Sequence, residues 1–189
     1  IICGTNFVLN NNISTSYYFS KFPTIWGWAT WRKNWKGYNL NLRYWKKFRT
    51  SKQWINICGN FDVYKSFTSL IDYYFFNKKK LWDVQYFIFL WKKNKINILP
   101  KYSLVKNIGI DQFASHTFHK SKKYNYSTKK IDIKLIHPKL AVSEKKIDDK
   151  IFYTLFYNKK GLIFEFIKNI KFNITQQFKR FKIKCINIR

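Results

Sequence analysis

Residues 81–93 constrain the fold more than any other part of this sequence. Apolar side chains fill almost every position of residues 84–91, and Gln85 is the exception. A helix that is apolar on nearly all sides must be buried on most of them, so other elements have to surround it. The following residues, 95–99, alternate polar and apolar side chains and end at Pro100, which predicts a short strand. We therefore expect an α/β fold with one helix in its interior.

Composition favours a folded chain over a disordered one. The chain has 189 residues, of which 46% are hydrophobic and 21% aromatic, which is enough apolar material for the core of one domain. It contains no methionine, so we do not expect Ile1 to be a natural start. The expectation is a fragment of a longer protein.

The charge balance is strongly basic, with 37 Lys and Arg residues against 9 Asp and Glu and a formal net charge of +28. A chain this basic favours nucleic acid, anionic lipid or a phosphorylated substrate as its partner. An alternative carries equal weight. Lys, Asn, Ile, Tyr and Phe are residues of AT-rich codons, and genome composition alone can enrich a surface in lysine.

The three cysteines show neither the paired spacing of a metal site nor a disulfide framework; they are Cys3, Cys58 and Cys185. A reducing cytoplasm is therefore the expected location. Residues 1–20 are too polar for a membrane span, and they lack the basic start and apolar run of a signal peptide.

Hydrophobic spacing and turn residues assign the other segments. The predicted segments are a short strand at residues 1–9, a buried irregular segment at 22–31, mostly helical structure at 32–80, a strand or extended segment at 104–110, a basic loop at 120–134 and an amphipathic helix at 161–184. The amphipathic helix is expected either to dock on the core or to lie on an anionic membrane surface.

Asp83 opens the apolar helix, and its position has two interpretations. A carboxylate in the first turn of a helix stabilises free backbone N–H groups and the helix dipole. The same carboxylate, held at the mouth of a buried helix, would be strengthened as a general base by desolvation. The local sequence does not choose between them.

The run from Tyr18 to Arg32 is rich in tryptophan and contains the small residues Gly27 and Ala29. Small residues beside large rings leave room for a ligand or for close approach of backbone. Exposed tryptophan faces suit sugar rings, whereas buried ones form an aromatic core. The aromatic core is the favoured interpretation for most of these rings.

A third stretch combines a turn with a histidine. Gly109, which follows Asn107 and Ile108, permits a tight turn, and His116 comes shortly after it. His116 could ligate a divalent metal or donate to a phosphate. A lone histidine is more often structural, and the nearby His119 competes for the same assignment.

Residues 18–32, which read Tyr-Phe-Ser-Lys-Phe-Pro-x-Ile-Trp-Gly-Trp-Ala-Thr-Trp-Arg, resemble a signature of the bacterial nucleotide-diphospho-sugar transferase superfamily, whose members are related to family 2 glycosyltransferases. Shorter pieces follow in the family's order: Trp82-Asp83-x-Gln85-Tyr86, Pro100, Leu104-Val105-x-Asn107-Ile108-Gly109, His116-Thr117 and Ile136-His137-Pro138. The resemblance spans residues 17 to about 138.

The resemblance implies the acceptor-side, C-terminal half of a GT-A-like fold at residues 1–140. Residues 141–189 would be a C-terminal extension with the basic amphipathic helix. The family's nucleotide-binding strands and its Asp-x-Asp motif would precede residue 1. The implied activity is transfer of a sugar from a nucleotide-diphosphate sugar to a hydroxyl acceptor, in cell-envelope polysaccharide or glycolipid synthesis.

By the same resemblance, Asp83 deprotonates the acceptor hydroxyl, and His116 serves the donor diphosphate or a divalent metal, Mg or Mn. The implied substrate-binding residues are Trp26, Gly27, Trp28, Arg32, Trp82, Gln85, Asn107 and Gly109. The sequence departs from the family at Trp82, which replaces the first member of the usual acidic pair and leaves one carboxylate.

The expected partners are a nucleotide-sugar donor, a glycan or lipid-linked acceptor and an anionic membrane surface. The expected location is the cytoplasm, including the inner face of the membrane. No nucleic-acid partner is expected, because the aromatic residues lie in buried-looking runs and no RNA- or DNA-binding motif occurs. Two alternatives stay open: a basic, aromatic-rich nucleic-acid-binding protein, and a non-catalytic remnant of a transferase.

Overall fold

The computed structural model describes residues 1–8, 13–108 and 126–157. Five α-helices and four β-strands form in these residues, and the coarse expectation of a mixed α/β fold is confirmed. The strands are β1 (Ile2–Cys3), β2 (Tyr17–Ser20), β3 (Trp28–Ala29) and β4 (Asn97–Pro100). The helices are α1 (Trp45–Phe48), α2 (Lys52–Cys58), α3 (Phe61–Phe76), α4 (Trp82–Lys92) and α5 (Lys145–Leu155), and a 3-10 helix covers Arg32–Trp35.

The four strands form one small mixed sheet in the order β2-β4-β1-β3. β4 pairs antiparallel with β2, from Tyr17 opposite Pro100 to Ser20 opposite Asn97. β1 pairs parallel with β4 and antiparallel with β3. Asn97 is buried, and its Nδ2 donates to the backbone carbonyls of Ser20 and Lys21 at 3.1 and 3.0 Å. The predicted strand at 95–99 therefore exists, two residues later and with Pro100 as its last member.

Seven consecutive residues of α4, from Gln85 to Trp91, are buried, so the prediction of an interior helix is confirmed. Aromatic rings from three other segments surround Trp91. By distance between ring centroids they are Phe67 (4.8 Å), Phe22 (5.6 Å) and Trp54 (5.8 Å). Trp91 Nε1 donates to the backbone carbonyl of Lys21, which satisfies the one polar atom of this buried ring.

Polar side chains and a glycine set the ends of α2 and α3. The Ser51 side chain accepts the backbone N–H three residues on and begins α2. Gly59 ends α2 in the left-handed region, with φ of 72°, where glycine pays little steric cost. Asn60 then caps α3 in the same way as Ser51 caps α2. These helices confirm that residues 32–80 are mostly helical.

The sequence did not lead us to predict α5. Ile147, Ile151 and Phe152 follow helical spacing on it, and all three join the hydrophobic core. The compact unit that contains all of these elements runs from Ile1 to Tyr157.

A buried carboxylate fastens α5 to the end of β2. Asp148 is 4% exposed, and its Oδ1 accepts hydrogen bonds from the Ser20 hydroxyl and from the Lys21 N–H, the latter at 3.2 Å. Burial raises the pKa of this carboxyl above its usual range, although the hydrogen bond from Ser20 and the charge of Lys21 oppose the shift.

The first predicted strand is shorter than expected, because the buried Asn6 replaces strand pairing with side-chain bonds. Its N–H donates to Ser103 Oγ at 2.8 Å, and its Nδ2 donates to the carbonyl of Lys101 at 2.7 Å. Residues 104–108 form no strand, although the N–H of Leu104 donates to the carbonyl of Gly4 at 2.8 Å.

Residues 126–134 form neither helix nor strand, in agreement with the predicted basic loop. The amphipathic helix predicted at residues 161–184 lies outside the described residues. Within the described parts of the chain, no helix combines the length and apolar character needed to cross a membrane.

Candidate functional site

The first turn of α4 holds the predicted general base. Asp83 is half-buried, and its Oδ1 accepts the backbone N–H of Val84 at 2.7 Å. The N-cap residue Leu81 makes no side-chain cap bond, so Asp83 supplies an acceptor that this helix end otherwise lacks. Among the described residues, no group hydrogen-bonds to Asp83 Oδ2. In the described part of the chain, one oxygen of this carboxylate is therefore held by the helix and the other has no hydrogen-bond partner.

A cleft of about 230 Å³ lies beside this carboxylate, and we call it the Asp83 cleft. It is lined by Asp83, Trp26, Phe7, Pro23, Thr24, Ile25, Phe87, Leu155 and Phe156. Two of the predicted site residues, Asp83 and Trp26, thus meet at one cavity although they lie far apart in the sequence. The walls are mostly apolar, and ligand sites of proteins usually combine such walls with a few polar groups.

Five aromatic side chains form a continuous cluster around the start of α4, which we call the aromatic stack: Trp28, Trp35, Tyr38, Trp82 and Tyr86. Trp82 stacks on Trp28 at 5.6 Å, and Trp35 stacks on Tyr86 at 4.3 Å between ring centroids. Trp82 is 42% exposed and Trp35 is 37% exposed, whereas Tyr86 is fully buried. The cluster is therefore rooted in the core and presents two tryptophan rings at the surface.

Tyr38 joins the aromatic stack to the backbone of the first turn of α4. Its hydroxyl donates to the backbone carbonyl of Trp82 at 3.1 Å. Burial raises the pKa of this hydroxyl, and the neighbouring charge of Asp83 adds to the shift. Sequence reasoning missed Tyr38, because nothing in its local pattern distinguishes it from other surface tyrosines.

Gly27 allows close packing of the chain. Its φ is +59°, and a Cβ built on it would lie 2.6 Å from Cγ2 of Val105. A Cβ on Gly4 would in turn lie 2.4 Å from the carbonyl oxygen of Gly27. Of the two interpretations of this small residue, the geometry supports close approach by neighbouring protein atoms, and Val105 occupies the space beside it.

Gln85 lies away from Asp83 on the same helix. Two residues along an α-helix correspond to a rotation of about 200°, so the two side chains leave α4 on opposite sides. Gln85 is 3% exposed, and its Oε1 has no hydrogen-bond partner. It lines a second cleft together with four lysines. The structure therefore separates two residues that the sequence assigned to one site.

The remaining predicted site residues are dispersed or lie outside the description. Arg32 is exposed on the 3-10 helix, and Asn107 is half-buried in an irregular segment. Gly109 and His116 lie outside the described residues. His137 is described, and its Nδ1 shares a hydrogen bond with the Tyr17 hydroxyl at 2.9 Å.

The described residues contain no cluster of three or more His, Cys, Asp or Glu side chains that could hold a metal ion. The metal expected from the family resemblance was assigned to His116, which lies outside the described residues. The described residues of the Asp83 cleft by themselves do not fit a metal.

Two further parts of the cleft were missed by sequence reasoning. Phe7 comes from the irregular segment after β1, and Leu155 and Phe156 come from the end of α5. The apolar spacing of Ile147 and Ile151 was a signal for α5. No sequence signal indicated that its end would close this particular cleft.

Comparison of the chain with protein-family models, with curated proteins and with solved structures gave no significant match.

Proposed function

We propose that this chain carries the acceptor side of a glycosyltransferase, which transfers a sugar from a nucleotide-diphosphate sugar to a hydroxyl acceptor. One observation carries the proposal: the Asp83 carboxylate and Trp26 line the same cleft. The motif resemblance at residues 18–32 and at the start of α4 supports the same class. The acceptor would be a glycan or a lipid-linked glycan, and the protein would act in the cytoplasm or at the inner membrane face.

In this mechanism the acceptor hydroxyl binds beside Asp83. Its oxygen attacks the anomeric carbon of the donor sugar, the bond from that carbon to the diphosphate breaks, and the nucleoside diphosphate leaves. Asp83 accepts the proton of the hydroxyl as the new bond forms. The Val84 N–H holds Oδ1 at 2.7 Å, so Oδ2 is the oxygen that would take the proton.

The aromatic rings have a separate role in the proposal. Sugar rings present C–H bonds that pack on aromatic planes, and both Trp82 and Trp35 have partly exposed rings that are held in place by stacking on Trp28 and Tyr86. A ring fixed in advance loses little freedom when it binds a ligand. Trp82 would therefore position the acceptor next to the neighbouring carboxylate. No step is assigned to a metal, because the described residues supply no ligand set.

Asp83→Asn tests the proposal in the intact protein, with release of nucleoside diphosphate from a panel of UDP- and GDP-sugars as the assay. The variant keeps an oxygen acceptor for the Val84 N–H but loses the base. We expect turnover to fall by roughly 10²-fold or more, with donor binding unchanged.

Asp62→Asn is the matched control. Asp62 also lies in the first turn of a helix, α3, but it does not line the Asp83 cleft. If both variants lose a similar small amount of stability and keep their activity, Asp83 only stabilises the start of α4 and is not the general base. Absence of sugar transfer from every donor in the panel by the unmodified protein would contradict the proposed class.

A further inference from the structure

Residues 129–143 run beside the outer strand of the sheet, and we call them the edge segment. β2 is at the end of the strand order, so one of its edges is open to such a neighbour. The Ser16 N–H donates to the carbonyl of Ile136 at 2.8 Å, and the Ile136 N–H donates to Ser16 Oγ at 2.9 Å. Ser143 then pairs with Phe19 in a parallel bridge. The edge segment is therefore fixed to the sheet although it contains neither helix nor strand.

Aliphatic side chains are exposed at high density along the edge segment. A single exposed aliphatic residue is ordinary on a protein surface. Here six of the twelve residues from 131 to 142 are exposed aliphatics, namely Ile131, Ile133, Leu135, Ile136, Leu140 and Val142. The two most exposed, Ile133 and Leu140, lie where the chain bends, at residues 133–134 and 139–140. Ile133 is fully exposed and Leu140 is 70% exposed. Such a concentration of apolar surface marks an interaction site.

A lysine accompanies the aliphatic side chain at each bend. Lys134 follows Ile133, and Lys139 precedes Leu140. Both lysines are exposed, and within the described residues neither pairs with a carboxylate. The whole edge segment contains four lysines and one acidic residue, Asp132. Its partner must therefore accept aliphatic side chains and positive charge at the same place.

Charge narrows the choice of that partner. A second copy of the chain carries the same net charge of +28, and residues 158–189 contain nine basic residues and one acidic residue, so both repel the edge segment. Nucleic acid would attract the lysines, but single strands bind on aromatic rings, and the edge segment contains no Phe, Tyr or Trp. An anionic lipid bilayer meets both requirements, because it places phosphates directly above hydrocarbon.

We propose that the edge segment docks on an anionic lipid bilayer, with Ile133 and Leu140 inserted at the two bends and the neighbouring lysines on lipid phosphates. Polar backbone groups at the bends cannot enter hydrocarbon, so the side chains reach only the boundary between headgroups and acyl chains. The hydrogen bonds to Ser16 fix the chain between the bends, which lowers the ordering cost of binding.

This surface is distinct from the other features of the chain that concern function. None of its residues lines the Asp83 cleft, so the inference holds whether or not the protein transfers a sugar. It also assigns the membrane contact to a different part of the chain from the amphipathic pattern at residues 161–184.

Co-sedimentation of the full chain with lipid vesicles tests the proposal. Phosphatidylglycerol vesicles supply the anionic surface, and phosphatidylcholine vesicles are the neutral comparison. We expect binding to phosphatidylglycerol to be at least about tenfold tighter, because each lysine near an anionic surface contributes about fivefold. If the protein does not bind phosphatidylglycerol vesicles, the proposal is wrong.

Removing the aliphatic side chains at the bends separates insertion from attraction by charge. Ile133→Gln combined with Leu140→Gln keeps every charge and should weaken binding to phosphatidylglycerol by at least about tenfold. Ile55→Gln combined with Phe61→Gln is the matched control on α2 and α3, and it should change binding less than about twofold. All four side chains are exposed, so Tm should move by no more than about 2 °C in either variant. Unchanged binding in the first variant, or equal losses in both, would overturn the proposal.

Charge variants locate the lysines that contact the phosphates. Lys134→Gln combined with Lys139→Gln should weaken binding by about tenfold or more. Lys47→Gln combined with Lys52→Gln removes the same charge from exposed positions outside the edge segment, and it should change binding less than about twofold. Equal effects of the two pairs would mean a diffuse attraction to the basic surface and would contradict the site.

The same Ile133→Gln, Leu140→Gln variant distinguishes lipid from the other occupants. Sedimentation equilibrium without lipid measures self-association, and titration with a single-stranded oligothymidine measures nucleic-acid binding. Loss of an oligomer in the variant would assign the surface to a second copy and overturn the proposal. Oligothymidine binding that weakens as much as vesicle binding would assign it to nucleic acid, with the same consequence. Loss of vesicle binding alone supports the lipid surface.

Discussion

The two ends of α4 differ sharply although they belong to one helix of 11 residues. At the C-terminal end Trp91 is 2% exposed and lies among aromatic rings from three segments. At the N-terminal end Trp82 is 42% exposed and Asp83 is half-buried beside a cleft. The two ends therefore differ in their surroundings: one end fixes the helix in the core, and the other lies partly exposed beside the Asp83 cleft.

The two ends of α4 also have different surroundings. Around the C-terminal end, the core includes the apolar face of α5, which Asp148 fastens to β2, whereas the end of α5, at Leu155 and Phe156, lines the Asp83 cleft. Around the N-terminal end lie the aromatic stack and the turn at Gly27. Substitutions at the two ends should therefore have different consequences, and stability measurements can separate them.

The largest expected effect is at the anchored end. Trp91→Ala should lower the free energy of unfolding by about 3–5 kcal/mol, because it removes a large buried ring and leaves a cavity among Phe22, Phe67 and Trp54. Chemical denaturation monitored by circular dichroism measures this loss. A loss below about 1 kcal/mol would contradict the assignment of this end as the anchor.

A smaller effect is expected at the turn that supports the N-terminal end. Gly27→Ala places a Cβ on a residue with positive φ, and that Cβ would overlap the side chain of Val105. The substitution should lower the free energy of unfolding by about 2–3 kcal/mol. Gly37→Ala is the control, because Gly37 has a φ of +85° but its nearest neighbour would lie 3.9 Å from the new Cβ. Equal costs for the two variants would show that Val105 does not press on Gly27.

The buried contact between Asp148 of α5 and the end of β2 should make the stability of the protein depend on pH. Because burial raises the pKa of Asp148 in the folded state above the ordinary aspartate value of 3.8, folding favours the protonated carboxyl. Its stabilising contribution is present below about 3.8 and is lost as the pH rises through the raised pKa.

Thermal denaturation of the unmodified protein and of Asp148→Asn across this window tests the sign. The stability of the unmodified protein relative to the variant should decline as the pH rises, while Asp132→Asn, at an exposed position, should show no such trend. A difference that stays constant, or grows with pH, would contradict the buried environment of Asp148.

The smallest stability effect is expected at Trp82. Because this ring is partly exposed and stacks on one side only, Trp82→Ala should change the free energy of unfolding by less than about 1 kcal/mol. Under the proposed function, the same change should raise KM for the acceptor. A large loss of stability in Trp82→Ala would remove the contrast between the two ends of α4.

Much of the local structure was predictable from local patterns. The apolar run at residues 84–91 required an interior helix, and the structure has it at Trp82–Lys92. The ends of α2 and α3 are set by Ser51, Gly59 and Asn60, and each of these residues caps its helix through backbone groups a few positions away. Local sequence therefore also indicates the helical character of this region. Asp83 was placed correctly at a helix start for the same reason.

The candidate site depended on contacts that no local pattern reports. The sequence assigned Gln85 and Asp83 to one site. Because the two side chains leave α4 on opposite sides, they line different clefts in the structure. It left two interpretations of Gly27, and the approach of Val105, from a distant segment, chose between them.

What the sequence by itself determined was therefore the kind of element at each position, because helix and strand periodicity and capping act over a few residues. The tertiary structure alone decided which side chains share a cavity. The meeting of Trp26 with Asp83, and the closure of their cleft by Leu155 and Phe156, require segments far apart in the chain to pack together. That packing forms cooperatively as the whole core is buried, so it cannot be inferred from the sequence of any one segment.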